Sequence, residues 1–364
     1  MSAPVDMPKL SVLDRFLPVW IVLAMAGGVF LGLMVPQVKA VLNGLSVCGI
    51  SLPIALGLII MMYPPLTKVR LDKARKVAAD KRLLALSLLL NWIAGPLLMF
   101  ALAWIFLSDE PSLRTGVIIV GLARCIAMVL IWTDLSCSDR EATAVLVAIN
   151  SLFQVLMFSV LGWFYLQLLP TWLGLGANDV DFSFVDIARS VLIFLGIPMA
   201  LGVISRLVGE KKKGREWYEE TFIPRVSPLA LIGLLYTIVV LFALQGEHII
   251  AQPGSVARVV LPLLCYFLIM FTVGLFTAKA VGMNYAQSGA IAFTATGNNF
   301  ELAIAVAIGT FGATSAEALA GTVGPLIEIP VLVALVYALL RFGPALFPQD
   351  PTVPGRGDKY AVRP

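Results

Sequence analysis

The chain has 364 residues, 59% of them hydrophobic and only 13% charged, and a formal net charge of +4. Soluble domains carry about a quarter charged residues, so with a mean hydropathy of +0.93 the composition excludes a water-soluble globule and identifies an integral membrane protein. The slight basic excess reads as a topology signal, and no nucleic-acid partner is expected.

A hydrocarbon core of about 30 Å asks for roughly 20 apolar residues per helix. Met1 to Trp20 mixes Asp6 and Asp14 with Lys9 and Arg15, which is no plain basic leader, so residues 1–16 read as a retained cytoplasmic segment. Ten apolar stretches follow, predicted as helices over 17–35, 47–66, 83–107, 115–133, 143–169, 189–207, 223–243, 257–280, 287–310 and 319–342. Runs such as "LLALSLLLNWIAGPLLMFALAWIFL" are too long and too uniformly apolar for barrel strands. The fold class is therefore all-α and polytopic. The last segment, 343–364, is rich in Pro, Gly and charge and is expected to be a disordered cytoplasmic tail.

Lysine and arginine set the orientation. The connection between spans 2 and 3, "KVRLDKARKVAADKR", and that between spans 6 and 7, "RLVGEKKKGREWYEETFIPR", are strongly basic. The connections on the other face carry one basic residue each, Lys39, Arg114, Arg189 and Arg258. The positive-inside rule then puts both termini and the basic loops in the cytoplasm of a multi-pass cell-membrane protein. Cys48, Cys125, Cys137 and Cys265 show no C-x-x-C spacing, and the single His248 falls on a predicted outer loop. Neither a disulfide framework nor a zinc site is indicated, and no cofactor is expected. No buried Ser/His, Asp/Asp or H-E-x-x-H constellation suggests an enzyme, and no appended soluble domain suggests a sensor.

Five spans is an odd number, so a second copy of the five would enter the bilayer upside down, as in many secondary transporters. The expected units are 17–169 and 189–342. In span 4, "GLARCIAMVLI" starts at Gly121 and places Cys125 four residues on; in span 9, "GNNFELAIAVAI" starts at Gly297 and places Glu301 four residues on. Spans 5 and 10 add a second echo, "NSLFQ" from Asn150 to Gln154 beside "GPLIE" from Gly324 to Glu328.

The polar residues of span 9 need a reason. In "TATGNNFELAIAVAIG", glycine lacks a β-carbon and asparagine competes for backbone hydrogen bonds, so Thr296, Gly297, Asn298 and Asn299 mark a place for the helix to unwind. Irregular backbone at membrane depth survives only where protein or a watery cavity satisfies it. Glu301 then sits in the first turn of the outer half-helix, near the positive end of its dipole. In span 4, Arg124 and Cys125 lie about ten residues, or roughly 15 Å of helix, from either end. A mid-membrane charge costs at least a few kcal/mol, so Arg124 and Glu301 are either an ion pair or functional groups. Cys125 alone would read as packing. Glu328 shares the desolvation argument, and Gln154 could bond helices together.

These motifs, with "GPLIEIPVLV" in span 10 and "PLALIGLLYTIVVLFALQG" in span 7, resemble the arsenite efflux permeases, the arsenical-resistance branch of the bile acid/arsenite/riboflavin transporter superfamily. The resemblance runs through all ten spans. It implies two inverted five-helix repeats with spans 4 and 9 broken and crossing at mid-membrane, and a core domain moving against a panel. It also implies that a span-4 cysteine and a span-9 glutamate, here Cys125 and Glu301, are required for transport. The connection "TDLSCSDREATA" departs from the pattern by carrying Cys137.

The chemistry suits such a substrate. Trivalent arsenic is soft and thiophilic, and a cation such as Arg124 beside the thiol would favour the thiolate. One thiol gives weak, reversible capture. Arsenite is a neutral trihydroxide, so its export needs a coupling ion, and Glu301 is the candidate proton carrier. The amides of Asn298 and Asn299 can donate to and accept from substrate hydroxyls. The expected partners are arsenite, with antimonite as a second cargo, a proton and membrane lipid, the chain acting as a monomer or homodimer. The alternative is a sodium-coupled, bile-acid-like organic-anion symporter.

Overall fold

The computed structural model describes residues 17–354 except 48–49, 69–79, 127, 176–183, 252 and 313. The N-terminal segment, most of the basic connection between spans 2 and 3, Cys48 and the tail from 355 onward lie outside the described residues. What is described is mostly helical, with one two-rung antiparallel ladder, Ser46–Val47 against Ile50–Ser51.

Prolines set many boundaries. Helix α1, Leu17–Met34, stops before Pro36, which opens a short additional helix, α2, Pro36–Gly44. Proline suits a first helical position because its missing N–H would have had no partner there. Span 2 starts at Leu52, with Pro53 in its first turn, and not at 47, because 46–51 forms the small ladder; this helix is α3, Leu52–Thr67. Next come α4, Lys81–Phe106, and the two halves of span 4, α5, Pro111–Leu122, and α6, Met128–Leu135. Then follow α7, Arg140–Trp172, α8, Phe184–Lys213, and a short α9 over 215–226 leading into α10, Pro228–Ala251. The second half closes with α11, Pro253–Ala280, the two pieces of span 9, α12, Tyr285–Thr296, and α13, Phe300–Phe311, and finally α14, Ala316–Leu346.

Six of these stretches are long and apolar enough to cross a membrane, and Val19–Met34, Leu52–Thr67, Pro111–Leu122 and Phe300–Phe311 are shorter apolar helices. Large apolar side chains such as Val22, Phe30, Ile105 and Val185 stand exposed around the bundle, as lipid-facing residues would. Four π-helical turns, Leu90–Ala94, Phe164–Leu168, Leu192–Gly196 and Tyr218–Phe222, each precede a proline, Pro96, Pro170, Pro198 and Pro224. A proline clashes with the carbonyl four residues earlier and cannot donate to it; a widened turn relieves the clash without ending the helix.

Three sequence expectations change. The connection between spans 6 and 7 is almost wholly helical, reversing at Gly214, whose φ of +87° suits glycine. Its Lys, Glu and Arg are good helix formers, with Arg206 paired to Glu210 at 2.9 Å across one turn. His248 lies within α10 and not on a loop. The last helix runs past 342 to Leu346, and the following turns fold back so that Asp350 accepts from the Tyr285 amide at 2.5 Å.

The helices sort into two packed groups. In one, α1 and α3 flank α10, and α8 packs on α3. Small residues make that seam close: a β-carbon on Gly28 would meet the Val239 carbonyl at 2.6 Å. In the other, α4, α5, α11, α12, α13 and α14 pack around the helix breaks, with α7 beside α12. The start of α8 joins the groups by packing on α7 and α13.

Candidate substrate and ion site

Helix α5 ends at Leu122 and α12 at Thr296, and the next residues of each, Ala123 and Gly297, are extended. The two extended segments cross as one antiparallel bridge, Arg124 opposite Asn298. Its rungs are the Cys125 amide to the Gly297 carbonyl, 3.2 Å, and the Asn299 amide to the Ala123 carbonyl, 3.0 Å. Each helix thus satisfies backbone groups freed by the break in the other.

Glycine at 297 is required by proximity, not by its backbone angles, since φ is −68°. A β-carbon there would stand 3.0 Å from Cys125 Cβ and 3.6 Å from its Sγ. Asn299 caps α13 by accepting from the Leu302 amide at 3.0 Å.

A second layer brackets the crossing. Gln154 Oε1 accepts from the Arg124 amide and its Nε2 donates to the Arg124 carbonyl, both at 2.9 Å. On the other side Glu328 Oε1 accepts from the Asn298 amide at 3.2 Å. Both clamps reach 30 residues along the chain, 124 to 154 and 298 to 328. Asn150, one turn before Gln154, accepts from Trp92 Nε1 at 3.1 Å.

Arg124 is fully buried and makes no ion pair among the described residues. Its guanidinium donates to Tyr266 Oη at 2.7 Å, to the Ala295 carbonyl at 3.4 Å and to the Gly121 carbonyl. The two carbonyls belong to the last turns of α12 and α5, the negative ends of two half-helix dipoles. The charge is therefore held by helix C-termini and a phenol, and the Arg124–Glu301 pair that the sequence allows is not formed. Successive side chains leave an extended strand on opposite sides, so Arg124 and Cys125 diverge.

Cys125 is 3% exposed. Around the crossing, Asn298 has neither side-chain atom hydrogen-bonded, and the amide nitrogens of Asn299 and Asn150 also have no partner among the described residues. A buried group left so costs about 1–3 kcal/mol, which suits a site completed by a polar ligand. Glu301, in the first turn of α13, is half-buried. Thr296 turns its hydroxyl back onto the Ala292 carbonyl at 2.6 Å and lends the site only its backbone. The crossing thus brings Arg124, Cys125, Gly297, Asn298 and Asn299 together, with Gln154 and Glu328 clamping it. Tyr266, the chief partner of Arg124, was not anticipated; its only signal was a phenol in the middle of an apolar span.

The profile of the sodium bile acid symporter family matches residues 55–252. An arsenical-resistance protein Acr3 of Corynebacterium glutamicum is 65% identical over 95% of this chain and 94% of its own length. The chain belongs to the arsenical-resistance branch of the sodium bile acid symporter family. An uncharacterised transporter of Synechocystis is 34% identical over 94% of the chain and 92% of its own length. A second Acr3, from Alkaliphilus metalliredigens, is 28% identical over 89% and 91%. Members of this family are transporters, not enzymes, and the broken-helix crossing is where a member of it can expose polar groups inside an apolar bundle.

Proposed function

We propose that the chain exports arsenite from the cytoplasm in exchange for protons, and carries antimonite by the same chemistry. The observation that carries this reading is a buried thiol, Cys125, pinned by a backbone rung against Gly297 at the crossing of two helix breaks. Capture is a ligand exchange: a sulfur–arsenic bond forms, an arsenic–hydroxyl bond breaks, and the thiol proton leaves with the hydroxide as water. A single sulfur keeps the bond reversible. The asparagine amides at 298 and 299 take the remaining hydroxyls, which satisfies donors and acceptors that otherwise have no partner.

The coupling proton is assigned to Glu301, which lies in the first turn of α13 at the positive end of its dipole. Glu328 is the supporting carboxyl. Its counterpart Gln154 both accepts from and donates to the backbone, and Glu328 matches that double bond only when it carries a proton. The organic-anion reading is less favoured because Arg124, the cation at the crossing, is committed to carbonyls and a phenol and is not offered to an anion.

The same reading takes the chain as ten spans in two inverted five-helix repeats, with both termini cytoplasmic, in the cell membrane. The equal 30-residue reach of the clamps on Arg124 and Asn298 supports the repeat. The test is arsenite accumulation in everted membrane vesicles under an imposed proton gradient, repeated after an uncoupler collapses it. Accumulation that vanishes with the uncoupler is expected. Accumulation indifferent to the uncoupler would remove the proton, and none under either condition, with sodium-driven organic-anion uptake instead, would overturn the substrate.

A further inference from the structure

Where α8 ends and α9 begins, a cavity of about 420 Å³ opens at the basic end of the bundle. Its walls are aromatic and aliphatic, with Tyr63, Val208, Trp217 and Phe222 among them, and Lys212 and Lys213 stand at its rim. Gly209 lets the wall close up, since a β-carbon there would strike the ring of Tyr218. Val208 and the neighbouring Ile204 and Leu207 are among the exposed large apolar residues of α8, so the cavity continues onto a lipid-facing helix surface.

Charge at this corner is sorted. Arg206 holds Glu210 and Glu219 at 2.9 Å each, and Arg215 adds to Glu219 at 3.4 Å. These pairs withdraw Glu210 and Glu219, whereas Lys212 and Lys213 are exposed and neither pairs with a carboxylate among the described residues. Lys213 instead lies over the Trp217 ring, 4.4 Å from its centroid. An apolar slot with a cationic rim, at the level where apolar side chains give way to lysines, fits a molecule with one anionic head and a hydrocarbon body. We propose that this cavity binds an anionic phospholipid from the surrounding leaflet, its phosphodiester at Lys212 and Lys213 and an acyl chain along Val208 and Ile204. The site is independent of the transport reading, because it shares no residue with the crossing.

The proposal is tested by fluorescence of the full chain reconstituted in phosphatidylcholine vesicles containing a minor fraction of lipid with brominated acyl chains, supplied either as phosphatidylglycerol or as phosphatidylcholine. Bromine quenches only adjacent indoles, and subtracting a Trp217→Phe variant isolates Trp217 from the chain's other tryptophans. Brominated phosphatidylglycerol is expected to quench Trp217 at about tenfold lower mole fraction than brominated phosphatidylcholine, and Lys212→Gln/Lys213→Gln is expected to erase the difference without altering quenching elsewhere. Native mass spectrometry of the same double variant in detergent should show loss of a retained phosphatidylglycerol adduct. Equal quenching by both lipids, an unaffected lysine variant, or full protection by inorganic phosphate would each overturn the assignment.

Discussion

Replacing Gly297 by alanine isolates the closeness of the crossing from every other property of the site. The backbone at 297, φ −68° and ψ 139°, is open to alanine, so no conformational strain enters. The added carbon would lie 3.0 Å from Cys125 Cβ and 3.4 Å from the Phe293 carbonyl oxygen. Carbon atoms prefer about 3.5–4.0 Å, so the two segments must separate by roughly 0.5–1 Å. The rung between them is already at 3.2 Å, the long end of an N–H···O bond, and that separation breaks it. Overpacking of this kind costs about 1–3 kcal/mol, too little to unfold the bundle but enough to displace the thiol. Gly297→Ala should insert and purify normally, melt a few degrees lower by the order of that cost, and lose at least about tenfold in vesicle arsenite accumulation. Wild-type transport with a lowered melting temperature would refute the reasoning, because it would mean the contact serves packing alone.

Cys125→Ser should keep the fold and abolish accumulation; antimonite transport by the serine variant at the wild-type rate would sink the thiol mechanism. Glu301→Gln should fold and lose gradient-driven accumulation, and export at the wild-type rate would end the proton-carrier assignment. Gln154→Leu strips two backbone groups of Arg124 of their 2.9 Å partners, at about 1–3 kcal/mol each, so its melting in detergent should fall well below that of Gln154→Glu, which keeps the acceptor. Outside the membrane, burial pushes the Asp350 carboxyl up, but the Thr352 hydroxyl and the amides of Tyr285 and Thr352 outweigh it and hold it below its ordinary value. A depressed carboxyl contributes stability that is present above its unfolded pKa and is lost as pH falls through the folded one. Protection of the 347–354 segment from proteolysis should therefore hold at neutral pH and fade only below about pH 4, and Asp350→Asn should remove that pH dependence.

The long apolar runs were legible because they dominate any local preference, and the break in span 9 was legible because glycine and asparagine stand where a membrane helix has no use for them; the break in span 4 carries no such mark and came from its echo of span 9 and the family resemblance. Less of the site could be read. A thiol, a carboxylate and a guanidinium near one depth could be read, yet nothing in the sequence says which way an arginine points, and the contact with Tyr266 joins residues 142 apart. The reach from Arg124 to Gln154 was similarly hidden, although both residues were singled out, because a clamp on a backbone leaves no mark on the residue clamped. The small ladder before α3 and the helix over 215–226 were missed for opposite reasons. The first is two residues per strand, below any periodicity, and the second hid a good helical pattern under its basic charge.

The disposition of helix ends explains why two opposite charges can share one crossing without neutralising each other. Four half-helices meet there, two by their C-termini, α5 and α12, and two by their N-termini, α6 and α13. The two C-terminal ends lie together at the Arg124 guanidinium, each worth a sizeable fraction of an elementary charge. Arg124 takes the carbonyl side and is held by it, its guanidinium donating to the Ala295 and Gly121 carbonyls and to Tyr266. Glu301 and the Asn299 cap take the amide side. Had Arg124 paired with Glu301, protonating the carboxyl would have left a buried guanidinium uncompensated, a loss of about 3–5 kcal/mol that a proton cycle would have to overcome at every turnover. With the arginine held instead by fixed carbonyls and a phenol, the proton cycle proposed for Glu301 would leave the scaffold that positions Cys125 unchanged.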